Sequence, residues 1–416
     1  MFLSFSKRFH IPTAIIKQCQ KGFLSGWLVE FSFLSYLYRF YNYEFQSPYQ
    51  VNYELYTDII FFVTIPELNF TISYEKMSRE TGERLALEFV AQAKKHHVKP
   101  LLSFGGWTGS RHFSKLTSTN LQRKKFAHAL VKYTQRLGFE GIDLDWEYPN
   151  SAGIGCNSNN PSDTTNFGLL LKEIRYFWPK VQLTAALNIE GLLGANGKPA
   201  TLRETSNIVR YLDFVNLMAY DVFGPWAPTT GPIGPLSADC APANLAFSVK
   251  TGVHALLKQG FKASQIVVGN PGYAKRFKLV SSKLDAKVIN GTSTRYYQNH
   301  TKVTPPGGRV DDRPGKDICG NKEGWGGSWT VNELIKQGWL SRDQKKGGKG
   351  YKRYFDRCSG APFLTDGNFF IAYDDIASTV EKARFTKQKG LAGLFFFDTQ
   401  GPPDATVKAA RAALRS

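Results

Sequence analysis

Gly138-Phe-Glu-Gly-Ile-Asp143-Leu-Asp145-Trp-Glu147-Tyr-Pro149 is the stretch from which the rest of the chain can be read. It begins as an apolar, β-prone run, yet it carries acids at Asp143, Asp145 and Glu147. In a strand, residues i, i+2 and i+4 share one face, with neighbours about 7 Å apart. Three acids in such a row repel one another and lose hydration, so an ordinary core strand would not keep them. The row makes chemical sense if the field itself is wanted. Repulsion raises the proton affinity of at least one member, and a carboxyl held protonated near neutral pH is a general acid. The competing explanation is an exposed edge strand whose acids face water. Ile142 and Leu144 alternate as that would need, but Phe139, Trp146 and Tyr148 are too bulky and apolar for a solvated edge.

Outward from this stretch the chain alternates strand with helix. Buried-strand runs are predicted at residues 59–65, 99–107, 182–189, 211–220, 265–271 and 390–397. Helical spacing occupies 80–97, 121–137, the stretch before Pro179, 245–259 and 404–414, and a Gly/Asn/Ser-rich loop fills 151–163. Strands that are almost continuously apolar argue for a parallel sheet covered on both faces. With the acidic strand and an ambiguous first strand before residue 43, eight units point to the α/β class and a (β/α)8 TIM barrel. A doubly wound open sheet is the alternative, but no Gly-rich phosphate loop follows an early strand. Ser103-Phe-Gly-Gly-Trp107 is not one, because Trp107 would block close approach of a phosphate. Residues 274–370 are too long for a βα connection and read as a small inserted α+β subdomain. The organisation is therefore an N-terminal segment 1–42, with a possible signal or anchor and a divergent first strand, followed by the barrel over 43–416. In such barrels functional groups gather at the carboxyl ends of the strands. Trp107 ends the third strand and Glu147 the fourth; Met218, Tyr220 and Asp221 end the sixth, Tyr273 follows the seventh and Phe397-Asp398 the eighth. A lone Tyr or Trp at a strand end is more often packing than ligand contact, but five strands converge on this rim.

Composition narrows the class. The 416 residues are 42% hydrophobic and 14% aromatic, enough for a large core with aromatics to spare for stacking on sugars or bases. The net charge is +19, and more than half of the excess falls within 274–359. No nucleic-acid-binding signature accompanies it, so a solvated basic surface is expected and nucleic acid is not a partner. None of the five cysteines has metal-ligand spacing, and neither metal nor cofactor is expected. Sequons at Asn69, Asn290 and Asn299, with an even set of Cys156, Cys240, Cys319 and Cys358, favour a secreted, oxidised glycoprotein. The amino terminus agrees only in part. Lys7, Arg8 and Lys17 precede an apolar stretch over 22–38, but Glu30 interrupts it and no small-residue cleavage site follows. A monomer that does not reside in a membrane is expected.

Several motifs resemble those of glycoside hydrolase family 18, the chitinases, in the fungal type with an α+β insertion after strand seven. The strand-four signature corresponds to Glu140-Gly-Ile-Asp143-Leu-Asp145-Trp-Glu147. The strand-three motif corresponds to Ser103-Phe-Gly105-Gly106 followed by Trp107, and the strand-six motif to Met218-Ala-Tyr220-Asp221 with Gly224-Pro-Trp226 behind it. The run Tyr373-Asp-Asp-Ile-Ala-Ser378 and then Gly390-Leu-Ala-Gly393 is similar to the approach to strand eight.

The resemblance implies endo-hydrolysis of β-1,4-linked N-acetylglucosamine in chitin and its oligomers, with the substrate's own acetamido group as nucleophile. Glu147 would be the acid and base, Asp145 and Asp143 its proton partners, and Tyr220 and Asp221 would hold the acetamido group. Trp107, Met218, Trp226, Tyr273 and Phe397 would line the substrate, and Ser103, Gly105, Gly106 and Glu140 would support the acids. Three residues depart from the pattern: Glu140 for Asp, Phe397 for the usual Trp, and Lys275 for the usual Arg. The aromatic-rich first strand is not recognisable within 27–41. The expected disulfides join Cys156 to Cys240, between the loops after strands four and six, and Cys319 to Cys358. A sugar-binding protein without turnover on the same fold is the competing function, and an enzyme acting on N-glycan cores is a third.

Overall fold

The computed structural model describes the backbone of Ser32–Leu37 and residues 46–416 in full. Eight parallel strands form the central ring: β1 (Ser32–Leu37), β2 (Asp58–Pro66), β3 (Lys99–Gly105), β4 (Gly141–Asp145), β5 (Gln182–Asn188), β6 (Phe214–Met218), β7 (Ile266–Pro271) and β8 (Gly393–Phe397). Each pairs with its numerical neighbour. β1 pairs with both β8, Ser32 opposite Gly393, and β2, Leu34 opposite Asp58, so the ring closes without an edge. The first strand thus lies inside the stretch where no strand pattern could be read. Its sequence, Ser-Phe-Leu-Ser-Tyr-Leu, breaks the apolar run with serines, so the usual signature is missing. The compact unit containing the barrel begins at Ser32. The signal or anchor expected further upstream lies outside the described residues. Among those described, no helix is long and apolar enough to cross a membrane.

Helices α1 (Arg79–Lys95), α2 (Asn120–Arg136), α3 (Asp163–Phe177), α4 (Leu202–Tyr211), α5 (Val249–Lys258), α6 (Ile376–Gln388) and α7 (Asp404–Arg415) follow strands β2 to β8 in turn. Strand β2 is buried along its whole length, which explains its nearly continuous apolar run, and β4 is equally buried although it carries Asp143 and Asp145. Inside the ring, Ile60, Leu101, Val267 and Phe395 form one cluster that runs upward to Phe62, Met218, Tyr220 and Phe397. Each such side chain, fully buried, stabilises the fold by about 1.5–3 kcal/mol, so the floor of the mouth rests on rigid packing. Two boundaries differ from expectation. The third strand stops at Gly105, where positive φ at Gly105 and Gly106 turns the chain into a short helix that carries Trp107. The sixth strand loses its start to α4, whose capping box between Thr201 and Glu204 begins a helix that apolar spacing alone did not reveal.

After β7 the chain enters the insertion. An antiparallel sheet orders its strands Ser328–Thr330, Tyr273–Lys278, Phe369–Ala372, Ala361–Thr365 and Lys352–Asp356, beside the helix Val331–Lys336. Phe277, Tyr296, Phe363 and Phe370 pack one side of it, and Ala274, Leu334, Leu364 and Tyr373 the other. Buried Asp374 pairs with fully buried Lys382 of α6 at 2.5 Å. Asp375 caps α6 and binds Arg353 at 2.6 Å. Removing one partner of such a pair would strand a buried charge, at a cost of about 3–5 kcal/mol.

The disulfides are Cys156–Cys319 and Cys240–Cys358, with Cα atoms 5.7 and 6.1 Å apart. Both expected pairings are therefore wrong. Cys319 lies on a hairpin that reaches the loop after β4, and Cys358 turns between two insertion strands against the loop after β6. Each bond ties the insertion to a barrel loop; neither closes the insertion on itself. Asn69, Asn290 and Asn299 are all exposed.

Candidate active site

Polar residues spaced along apolar strands meet at the carboxyl end of the ring. Asp143, fully buried on β4, accepts hydrogen bonds from Ser103 Oγ of β3 at 2.8 Å, Thr184 Oγ1 of β5 at 2.6 Å and Asn216 Nδ2 of β6 at 3.1 Å. Three strands therefore converge on a carboxylate carried by a fourth. Asp145 stands two residues up the same face and is 3% exposed. Its Oδ1 has no hydrogen-bond partner among the described residues. Burial, and then the nearby carboxylates of Glu147 and Asp143, hold Asp145 well above the ordinary carboxylate range. Glu147 lies just beyond the strand end and is half-buried at the mouth. Burial pushes its carboxyl up to about 7; a hydrogen bond with Tyr148 pulls it back, and the charge of Asp221 adds to the rise.

The backbone under these acids is fixed as tightly. Ser110 Oγ accepts from the Glu147 N–H at 2.9 Å and lies 3.0 Å from the carbonyl of Asp145. Asn157 Nδ2 donates to the Glu147 carbonyl at 2.8 Å. Gly105 adopts a φ of 115°, and a Cβ there would meet the Asp145 carbonyl oxygen at 2.1 Å. At Gly106 a Cβ would meet the Phe62 ring at 2.9 Å. The Gly-Gly pair is thus where β3 lets both the acid strand and an aromatic ring come close.

Facing the acids is an aromatic floor. The Phe397 ring stacks on Tyr220 with centroids 6.0 Å apart and meets Phe62 edge-on at 5.5 Å and Tyr273 at 6.3 Å. Burial raises the Tyr220 phenol well above its usual value, followed by the charges of Asp145 and Asp221, so it stays a donor across the working range. Asp221 takes the left-handed conformation, with φ 54°, which Asp tolerates better than most residues. Its Oδ2 accepts from the Tyr273 hydroxyl at 2.8 Å. Lys275 sits 5.4 Å from the Trp226 ring and donates to Ser328 Oγ at 2.8 Å. Trp107 and Trp226 are 48% and 63% exposed, as free stacking faces would be. A cavity of about 250 Å³ opens between Trp107, Tyr148, Pro149, Leu187 and Leu192, without the row of acids in its lining.

The structure therefore brings together Glu147, Asp145, Asp143, Tyr220, Asp221, Tyr273, Met218 and Phe397. Ser103, Gly105 and Gly106 lie beneath the acids, and Trp107 stands at the cavity. Glu140 is not among them. It precedes β4 at the opposite end of the barrel, with its side chain about half exposed and 4.0 Å from Lys94, so it supports no catalytic carboxylate. Sequence reasoning missed Tyr148, Phe62, Ser110, Thr184, Asn216 and Asn157. Thr184 and Asn216 had a signal, each being the polar residue inside an otherwise apolar strand core.

An eight-stranded barrel with a row of acids, two of them raised, over an aromatic floor is the arrangement of a barrel glycosidase. A family model described as Glycosyl hydrolases family 18 matches residues 34–401. A chitinase-like effector of Moniliophthora roreri is 34% identical over 345 residues, covering 80% of this chain and 83% of that protein. Chitinase A1 of Niallia circulans is 31% identical over 327 residues, covering 75% of this chain and 42% of that protein. Among solved structures, a chitinase from Rhizomucor miehei is similar with a TM-score of 0.77 at 24% identity, covering 92% of this chain and 99% of that one. The chain belongs to glycosyl hydrolase family 18.

Proposed function

We propose that the protein hydrolyses β-1,4 linkages between N-acetylglucosamine units in chitin oligosaccharides, with retention and with the substrate's acetamido group as nucleophile. The observation that carries this is the row Asp143, Asp145 and Glu147 ending in an acid raised to about 7 at the mouth. Protonated Glu147 gives its proton to the glycosidic oxygen as that bond to C1 breaks. The acetamido carbonyl oxygen bonds to C1 from the other face and gives an oxazolinium ion. Asp145 accepts the acetamido N–H and balances the developing positive charge. Tyr220 donates to the same group, with Asp221 held beside it by Tyr273. Glu147, now a carboxylate, then takes a proton from water as the water oxygen attacks C1 and reopens the ring. Pre-positioning the carbonyl supplies most of the acceleration, because an oriented intramolecular nucleophile has a high effective molarity. Trp107 and Trp226 offer faces for neighbouring sugars.

The protein is proposed to work outside the cell as a monomer. Cys156–Cys319 and Cys240–Cys358 suit an oxidising compartment, and Asn69, Asn290 and Asn299 are proposed to carry glycans. Mass spectrometry of the protein from a secreting host, before and after deglycosylation, tests this; three unmodified asparagines would remove it.

Two observations favour a binding protein without turnover. Phe397 offers less stacking area than the Trp usual at its position, and the Moniliophthora relative is named chitinase-like. Against it stand the intact Asp143, Asp145 and Glu147 and the three donors that hold Asp143. Release of short oligosaccharides from soluble chitin oligomers by the wild type, and its loss in Glu147→Gln, tests the choice. Equal trace release by both proteins would leave only binding.

A further inference from the structure

Residues 312–326 form a Gly-rich excursion from the insertion, Asp-Arg-Pro-Gly-Lys-Asp-Ile-Cys-Gly-Asn-Lys-Glu-Gly-Trp-Gly. Its apolar content is too small to build a core, yet it is ordered at three points. At its root, the Asp311 carboxylate accepts from the N–H groups of Gly307, Gly327 and Ser328 at 2.8, 3.1 and 2.8 Å and so clamps the two legs together. Midway, Gly315–Lys316 pairs with Lys322–Glu323. The tip is a turn held by Asp317, whose Oδ1 accepts from the Cys319 and Asn321 N–H groups at 2.9 and 2.7 Å. Cys319 is then bonded to Cys156.

The two ends of this strap stand on opposite banks of the site. Its root strand Ser328–Thr330 pairs with Tyr273, Ala274 and Lys275 after β7, the bank on which Tyr273 holds Asp221. Its tip is bonded to the loop after β4, where the neighbouring Asn157 holds the Glu147 carbonyl. The charge of Asp221 acts on Glu147, so these two banks come close to each other at the mouth. Asp312 and Glu323 also act on Lys76, beyond β2, and counter the lowering that burial imposes on it. In the ring order β7 lies opposite β3, whose neighbours are β2 and β4. A segment rooted at β7 that is bonded to the loop after β4 and whose acids act on Lys76 beyond β2 spans the mouth. Nor does it lie flat on the barrel: residues 312–316 and 320–324 are exposed, and a Cβ at Gly320 or Gly324 would meet nothing within 4 Å.

We propose that this strap, latched by Cys156–Cys319, roofs the cleft over Glu147, so that a sugar chain enters by an end and not by its middle. The proposal rests on the reading of the site as a chitin-oligosaccharide cleft. It replaces the endo attack expected from the family resemblance with threading from a terminus. A roof of this kind discriminates by chain topology: a free end passes beneath it, whereas a chain whose two ends are too wide to thread does not.

The test compares free chitohexaose with chitohexaose biotinylated at both ends and capped with streptavidin. The wild type should hydrolyse the capped form at least about tenfold more slowly than the free form. The double variant Cys156→Ser, Cys319→Ser, which keeps Cys240–Cys358, should cleave both at similar rates and should cleave the free hexamer as the wild type does. Equal hydrolysis of free and capped hexamer by the wild type overturns the roof, and this comparison needs no variant to fold. Calorimetric binding of both ligands to Glu147→Gln, with the latch intact and removed, separates the two readings. Discrimination in binding without any turnover of the free hexamer by the wild type would keep the roof and discard the hydrolase. Turnover with equal binding of both ligands would do the reverse.

Discussion

Ser103 Oγ donates to Asp143 Oδ2 at 2.8 Å, so the residue that opens the Ser-Phe-Gly-Gly turn on β3 holds the innermost acid of β4. Two motifs separated by some forty residues of sequence are thereby one device. β3 supplies a donor below the row and two glycines beside it, and β4 supplies the acids. Thr184 and Asn216 complete the cradle from β5 and β6, so Asp143 is held fully buried two residues below Asp145.

Thr184→Val tests that cradle. It keeps the shape, removes one donor from a buried carboxylate and should cost about 1–3 kcal/mol of unfolding free energy. Loosening the cradle beneath Asp145 should also lower turnover and alter its pH profile. Urea unfolding and a pH–rate profile read the two effects. A variant that loses stability with an unmoved pH profile would make Thr184 structural only.

The pH dependence of stability carries a sign. Glu147 rises from an ordinary 4.5 to about 7 on folding, and Asp398, buried below a turn whose Gln400 and Gly401 N–H groups it accepts, rises from 3.8 to about 7. A raised carboxyl contributes stability that is fully present below its unfolded value and is lost as pH climbs through the folded one. The protein should therefore lose stability between about pH 4 and pH 7 through these two groups. Glu147→Gln should flatten that slope, as read from urea midpoints at pH 5 and pH 8. An unchanged slope would mean that Glu147 titrates near its ordinary value.

The aromatic floor is tested by Phe397. Phe397→Ala removes the ring that stacks on Tyr220 and meets Phe62 and Tyr273. An aromatic pair contributes about 0.5–1.5 kcal/mol beyond buried area, so kcat/KM should fall by roughly two- to tenfold. Phe397→Trp should lower KM for oligomers by widening the stacking face. Steady-state kinetics on a chitin tetramer measures both, and a higher KM in the Trp variant would show that the mouth is shaped for Phe.

The site could be read from sequence wherever chemistry is encoded in local spacing. The strand period alone placed Asp143, Asp145 and Glu147 on one face, and five strand ends pointed to one rim. What could not be read depended on distant partners. Thr184 and Asn216 become donors only when β5 and β6 stand beside β4. The cysteines paired otherwise than expected because proximity is set by a hairpin that crosses the mouth, which chain order does not record. Glu140 looked like part of the motif but precedes the strand and so faces the opposite end of the barrel. The first strand was hidden because ring closure comes from backbone pairing with β8 and β2, and Ser-Phe-Leu-Ser-Tyr-Leu has little of the apolar pattern that marks the others.

The central claim is that Glu147 is the acid and base of a retaining hydrolysis. Chitin tetramer incubated with wild type and Glu147→Gln, with the anomers of the first products followed by NMR, tests it most directly. The wild type should release products that are initially β, and Glu147→Gln should bind the tetramer while releasing product about 10²–10⁴-fold more slowly. Products that are initially α, or equal release by the two proteins, would contradict it.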